Sequence, residues 1–462
     1  GGWAPFLIDD TTRGVELCYY ETLSALLSHV TGPYEIPNVR ARAWDVLTNG
    51  PRYVPLRGTN ANYLPLAYES QVNLLARELD IDPIELRARN AIRLGSKTHF
   101  GQALTDSVSM RAELELLKPR YEEARRAMEQ KKAEATGPWR PGLGVGCGWR
   151  NIGYFASTIG AGCELEDDGR IHVMAGTVEQ GQGPTTQFSQ IAADAVGVGM
   201  SSMRITLGDT GAAPYPVPTF SSISTVGTGK AVQLAAEKLR DKICVAAAEA
   251  LQTEPGELSV HGDRVHLTAK PEVGMSLQEV AQHFKNQGLS NLAEASIEWN
   301  GETPTILYGY NAGLVELEVN IETGKVRLMD HVNVCDPGTR VHPLAVEGQI
   351  DGAIAFGVGF ALSERFHPDN PATLKDYGIP ATGDVPESVT RLYVDEKLAR
   401  GPFGAKSMAE HPGISVIPAI IDAIADATGV VIRDIPATPT RIRAELAAVA
   451  ANSGGRDRQQ AL

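Results

Sequence analysis

Twice along this chain the hydrophobic period changes from two to 3.6 across a polar loop. Residues 161–166 and 171–175 alternate around Asp167-Asp168-Gly169, and a helical run over 185–196 follows. Residues 307–321 and 326–334 flank Glu322-Thr323-Gly324-Lys325, and the apolar run 345–362, carrying Gln349, follows in turn. Period two around a glycine-bearing turn predicts a β-hairpin, and the longer period a helix. The recurrence is that of an internal duplication, although two such units also arise independently. Either way the chain is of the α+β class.

The flanking segments add helices. Residues 1–65 read as irregular and strand-like, with turns at Gly32-Pro33, Asn49-Gly50-Pro51 and Arg57-Gly58. Over 68–92 the apolar spacing is helical, and Asp82-Pro83 is an N-cap followed by an N1 proline, so two helices meet near Asp80–Pro83. Residues 110–135 predict a charged amphipathic helix interrupted at Pro119, and Thr136–Pro141 a linker. Residues 414–428 are strongly apolar and end at Gly429, a C-cap signal. The division expected is 1–135, 136–450 and a disordered tail at 451–462.

Composition excludes several classes of function. A net charge of −14 without a basic cluster argues against nucleic-acid binding. The longest apolar run, Ala353–Leu362, is half of the roughly 20 residues that span a bilayer, so no membrane span is expected. Five cysteines (Cys18, Cys147, Cys163, Cys244 and Cys335) lie far apart, with no CxxC and no HExxH. They form neither a disulfide framework nor an iron–sulfur or zinc ligand set and read as core residues in a cytoplasmic protein. Gly227-Thr228-Gly229-Lys230 lacks the first glycine and the final hydroxyl of a nucleotide-triphosphate loop.

Three polar loops carry the chemistry. In Gly176–Thr186, Gly181 and Gly183 let a ligand approach the backbone, Gln182 offers donors and an acceptor, and a helix N-terminus follows. Pro218–Lys230 places hydroxyls at Thr219, Ser221, Ser222, Ser224 and Thr225 ahead of a second helix. Gly401–Pro412 sets Glu410 among small residues, where poor solvation would raise its pKa toward that of a general base. Taken singly, these loops read as a solvated turn, a capping loop and a solvated glutamate.

Taken in order, they resemble the molybdenum-binding subunit of the xanthine dehydrogenase/aldehyde oxidase family of molybdenum hydroxylases. GPYEIPNVR (32–40), Thr48-Asn49 and Arg57-Gly58 are similar to the stretch leading into that family's Arg-Gly active-site loop. EQGQGPTTQFSQIAADAVGV, PTFSSISTVGTGKAV, VEGQIDGAIAFGVGFALSE, DYGIPATGDVP, GPFGAKSMAE and PAIIDAIADATG continue the pattern through most of the chain. The resemblance implies an elongated two-subdomain fold and a molybdopterin cofactor, often in the cytosine dinucleotide form, that itself holds the molybdenum. Gln182, Thr219, Ser222, Ser224 and Gln349 would hold the pterin, with Gly181, Gly183 and Ser221 beside them. Arg57, Gly58 and Ala409 would form the active-site loop, and Glu410 would be the catalytic base. The reaction implied is hydroxylation of an N-heteroaromatic ring carbon or oxidation of an aldehyde, with oxygen from water. Iron–sulfur and FAD subunits would carry the electrons away. The rivals are a purine- or nicotinate-type dehydrogenase of the same family, and a non-catalytic subunit that completes a partner's pocket.

The sequence also departs from the family pattern. Ser407-Met408-Ala409 stands where Gly-Val-Gly usually precedes the glutamate, and His411 where proline is frequent. The arginine and two phenylalanines that hold purines fall on Ala25, Thr59 and Asn151, which argues against xanthine. No cysteine lies near Arg57, so the copper site of carbon monoxide dehydrogenases is not expected. Gly1-Gly2-Trp3 does not match the family's earlier FGGK-type loop. The remainder of the molybdenum region is therefore expected from a second chain or a removed segment.

Overall fold

The computed structural model describes residues 27–43, 56–59, 61–153, 157–299, 306–366 and 373–459. The expected strand-like character of 1–65 survives, among described residues, as one isolated bridge between Tyr34 and Ala91. Helices α1 (Leu64–Glu78) and α2 (Pro83–Asn90) meet where the sequence places them, and Asp82 caps α2 by accepting from the N–H groups of Ile84 and Glu85 at 2.9 and 3.1 Å. Helix α3 (Met110–Glu134) runs through Pro119 without interruption, against expectation. Its buried stripe of Met110, Leu114, Leu117 and Tyr121 packs into the core on both sides of the proline, outweighing the lost hydrogen bond.

Strands β1 (Trp139–Ile152), β2 (Ser157–Leu165) and β3 (Ile171–Ala175) follow, then α4 (Pro184–Val196), β4 (Met203–Leu207) and α5 (Gly229–Leu251). A small antiparallel sheet of β5 (Leu258–His261), β6 (Arg264–Leu267) and β7 (Lys270–Ser276) leads to α6 (Leu277–Gln287) and β8 (Leu292–Trp299). Both expected hairpins form: β2 with β3, and β9 (Leu307–Asn320) with β10 (Val326–Cys335), turning at Gly169 and Gly324, whose φ angles are +85° and +73°. Helix α7 (Pro343–Leu362), strand β11 (Ser388–Tyr393), α8 (Val416–Thr428) and α9 (Pro439–Gln459) complete the chain. Helical backbone thus continues from 451 to 459, where the sequence predicts a disordered tail; the alanine-rich run 447–451 favours continuation. As a whole, α7 is long and apolar enough to cross a membrane by length and composition, unlike the shorter run weighed from the sequence. Its Ile350, Ile354, Val358 and Ala361 lie in the same core cluster as α8, which accounts for the apolarity.

The two four-stranded sheets have orders β1-β9-β10-β11 and β4-β3-β2-β8. In each, a hairpin is followed by a helix and then by a strand parallel to the hairpin's second strand: β4 beside β3, β11 beside β10. The sheets thus repeat one topology, as the doubled sequence pattern predicts.

Strand β1 explains how α8 comes so close. Gly142, Gly144, Gly146 and Gly148 share one face, and a Cβ at Gly144 would lie 2.1 Å from the Ala419 carbonyl oxygen. The opposite face carries Leu143, Val145, Cys147 and Trp149 into the core beneath α3. The outer edge of β1 is closed by carboxylates: Asp426, Asp422 and Glu69 accept from the N–H groups of Leu143, Val145 and Cys147 at 2.8, 3.1 and 2.8 Å. Side chains here replace the neighbouring strand that an open edge would otherwise attract.

Candidate active site

The segments that follow β3, β10, β4 and β11 converge on one cavity of about 570 Å³. Its wall includes Gly181, Gln182, Thr219, Ser221, Ser222, Ser224, Gln349, Arg57, Ala409 and Glu410. Of the residues that the resemblance assigns to the cofactor and the active-site loop, all but Gly58 and Gly183 line it, and Gly58 bonds directly to Glu410. Gly183 is the left-handed N-cap of α4, with φ +78°. Thr48 and Asn49 of the predicted motif, with Ala25, Cys18 and residues 1–3, lie outside the described residues.

Glu410 is 8% exposed, so the expected poor solvation holds. Its carboxylate is nonetheless well supplied with donors. Oε1 accepts from the Gly58 N–H at 3.1 Å and from Arg150 Nη2 at 3.3 Å; Oε2 accepts from Ser222 Oγ at 2.7 Å. Arg57 fixes the turn from outside, donating Nε to the Ala409 carbonyl and Nη2 to the Gln349 carbonyl, the latter at 2.8 Å. Burial pulls the Arg57 pKa down to about 10, against the opposing pull of Glu410. Ser407 Oγ donates to the Ser222 carbonyl, joining the glutamate loop to the serine loop. Behind the turn, Asn333 Nδ2 donates to the Pro412 carbonyl at 2.9 Å, and Asn311 Oδ1 accepts from Ser415 N–H at 3.1 Å.

The charged groups nearby are accounted for. Lys406 lines the cavity but pairs with Asp336. His411 is buried and its pKa is pushed down to about 3, first by desolvation and then by Lys406 and Arg57, so it is a neutral imidazole.

The polar loops divide into stitching and free groups. Gln182 spends its amide on its own loop, donating to the Val178 carbonyl at 2.9 Å and accepting from Gln180 N–H at 2.6 Å. Thr219 Oγ1 donates to the same carbonyl at 2.8 Å and accepts from Val178 N–H at 2.9 Å. Glu179 already accepts from Gly181 and Gly183 N–H at 3.0 and 3.1 Å, ahead of α4. Ser221 Oγ, by contrast, is buried without a partner, and Ser221 and Ser222 hold left-handed φ angles of +49° and +55°. Serine backbone in that region marks a site held by its surroundings. Around Gly181 the space a Cβ would take is open. An unpartnered hydroxyl, an open glycine and two helix N-termini around one cavity fit a phosphorylated heterocycle such as the pterin.

Sequence reasoning missed Arg150, Gln187, Lys406 and the Asn311–Asn333 pair. Arg150 had a signal: it continues the alternation of Gly142 to Gly148 and is the first side chain after that glycine row. Gln187 donates to Thr225 Oγ1 at 2.9 Å across the cavity wall. Of the positions compared with purine-binding residues, Thr59 lines the cavity and Asn151 is buried at the end of β1.

A cavity between repeated strand–loop–helix units, walled by hydroxyls and a buried carboxylate, is a small-molecule or cofactor site in kind. The molybdopterin cofactor-binding domain family matches residues 116–386, and a second domain of that description matches residues 17–91. The chain belongs to this family, that of the molybdenum-binding subunits of molybdenum hydroxylases. It is 33% identical over 417 residues to the xanthine dehydrogenase molybdenum-binding subunit of Escherichia coli O157:H7, covering 86% of this chain and 54% of that one. It is 30% identical over 414 residues to the aldehyde oxidoreductase of Megalodesulfovibrio gigas, covering 88% and 43%. Among solved structures, the aldehyde oxidoreductase of Desulfovibrio desulfuricans superposes with a TM-score of 0.83 at 27% identity, covering 94% of this chain and 46% of that one. Quinoline 2-oxidoreductase of Pseudomonas putida 86 gives 0.81 at 26%, covering 90% and 56%. The chain spans about half the length of the curated relatives it matches.

Proposed function

We propose that this chain is the base-bearing part of a cytoplasmic molybdenum hydroxylase that oxidises an N-heteroaromatic ring carbon or an aldehyde. The observation that carries the reading is Glu410: a buried carboxylate on the wall of the cofactor-sized cavity, with Oε2 beside Ser222. When bound, molybdenum with its pterin supplies the two-electron oxidation and the water-derived oxygen. Glu410 takes the proton at Oε2, a role worth roughly 10²–10⁴ in rate. Ser221, Ser224 and Gln349 face the pterin, while Gln182 and Thr219 shape the loop that receives it. Arg57 keeps the glutamate turn against α7. Leu56, Phe220, Val346, Phe356 and Met408 give the cavity an apolar side suited to a flat ring or an aldehyde chain. Residues 1–135 and 136–450 form the two parts of the cradle. Iron–sulfur and flavin subunits accept the electrons. This reading is supported by the family membership and by the likeness to a quinoline and two aldehyde oxidoreductases.

The test is a dye-linked turnover assay of the purified complex against purines, pyridines, quinolines and aldehydes, with molybdenum analysis alongside. Turnover of a ring heterocycle or an aldehyde is expected, together with bound molybdenum. An active complex without molybdenum refutes the proposal.

A further inference from the structure

Strand β1 carries a side chain whose placement the reaction outlined above leaves unexplained. The glycine face Gly142, Gly144, Gly146 and Gly148 lies against α8 and the turn before it, and a Cβ at Gly148 would meet Ile414 at 2.1 Å. Arg150 is the next residue on that face and reaches Glu410 instead. It is 1% exposed, and among the described residues Glu410 is the only carboxylate within ion-pair distance of it. Nη1 donates to the Asn151 carbonyl at 3.1 Å, and Nε has no partner. A guanidinium buried at that cost points to a role in holding one oxygen of the glutamate.

We propose that Arg150 is a positioning residue that divides the work of the two Glu410 oxygens. Arg150 and the Gly58 N–H anchor Oε1, and Oε2 beside Ser222 is left to exchange a proton with the cavity. The other groups around Glu410 are already committed: Arg57 to backbone carbonyls, Lys406 to Asp336, and His411 as a neutral ring. From α7 the neighbours are the uncharged Ala353, Phe356 and Gly357. Among the described residues Arg150 is therefore the one cation bonded to the carboxylate.

The inference rests on the reading of Glu410 as base only in its kinetic arm. In the purified complex, Glu410 protonation is followed by its infrared carboxyl band, assigned by difference against Glu410→Gln. Arg150→Met should raise the apparent midpoint by about 1–3 pH units, the shift expected when an opposite charge is lost from a carboxylate. Arg150→Lys should restore more than half of that shift. The acid limb of kcat/KM should move with the band in each variant, with little change in KM. An unmoved band in Arg150→Met overturns the proposal. So does a band in Arg150→Lys displaced from wild type by the full shift of about 1–3 pH units expected of charge loss, a criterion that stands if only the lysine variant folds. A band that moves while the acid limb stays upholds Arg150 and refutes Glu410 as the base.

Discussion

Alanine at Gly144 tests the packing that delivers Glu410 to the cavity. The added Cβ would stand 2.1 Å from the Ala419 carbonyl oxygen and 2.3 Å from the Ala423 nitrogen. Ordinary contact needs about 3.5 Å, so the helix must retreat by more than 1 Å. Both obstructing atoms belong to the α8 backbone, and no side-chain rotation relieves them. Overpacking typically costs about 1–3 kcal/mol, and a rigid obstacle places this substitution at or above the upper end. At about 2–4 °C per kcal/mol for a domain of this size, a loss near 3 kcal/mol lowers the thermal midpoint by roughly 6–12 °C. Gly256→Ala is the control, because nothing lies within 4 Å of its added Cβ. Thermal melts of the purified complex followed by circular dichroism check the difference, with turnover measured below both transitions. Turnover should fall as well, because Ser415, just ahead of α8, anchors the glutamate turn to Asn311. If Gly144→Ala melts within about 1 °C of wild type, the helix is not held against the strand as described.

Glu410→Gln should retain bound molybdenum and lose roughly 10²–10⁴ in kcat; near-normal turnover in the dye-linked assay ends its assignment as base. Asn333→Ala removes the donor to the Pro412 carbonyl and should cost about 1–3 kcal/mol, read by urea unfolding, with a lower kcat at similar KM. The two buried histidines should withdraw stability on acidification below pH 6.5. Burial holds the His331 and His411 pKa values down at about 4 and about 3, so the unfolded chain binds more protons through that window. At pH 5 each histidine costs about 2 kcal/mol relative to neutrality. Asp422 acts in the opposite sense: burial raises its pKa to about 6, and going from pH 7 to 5 returns about 1.4 kcal/mol. The carboxyls of Glu113 and Asp336, held above the usual range by desolvation, act in the same sense as Asp422. The histidine share is therefore isolated by His331→Met, whose loss of stability between pH 7 and 5 should be smaller than the wild type's by about 2 kcal/mol in urea titrations.

Much of this was legible in the sequence because local patterns carried it. The hairpins, the Asp82 cap, Gly429 and the three loops depend on residue types at short spacing, and all stand where the pattern puts them. What was not legible depends on contacts far along the chain. Pro119 reads as a break until the buried face on both sides of it is seen. Glu410 reads as a glutamate in a small-residue loop, whereas its three donors come from positions 58, 150 and 222. The amides and hydroxyls of Gln182 and Thr219 look available in the sequence and are spent on the loop's own backbone.

The repeated topology explains why those distant positions meet. In each sheet one segment follows the hairpin's second strand and another precedes the long helix lying across the sheet: 176–183 and 208–228 in one, 336–342 and 394–415 in the other. Equivalent segments thus face each other across the cavity, and the Ser222–Glu410 hydrogen bond joins a residue of one repeat to its counterpart region in the other. The outer strands then break the symmetry. Strand β8 faces α5 with Ala293 and Ala295, while β1 faces α8 with glycines and ends its row on Arg150. A duplicated frame supplies two equivalent loops, and the outer strand of one half alone places a buried cation, Arg150, against the carboxylate of one of them.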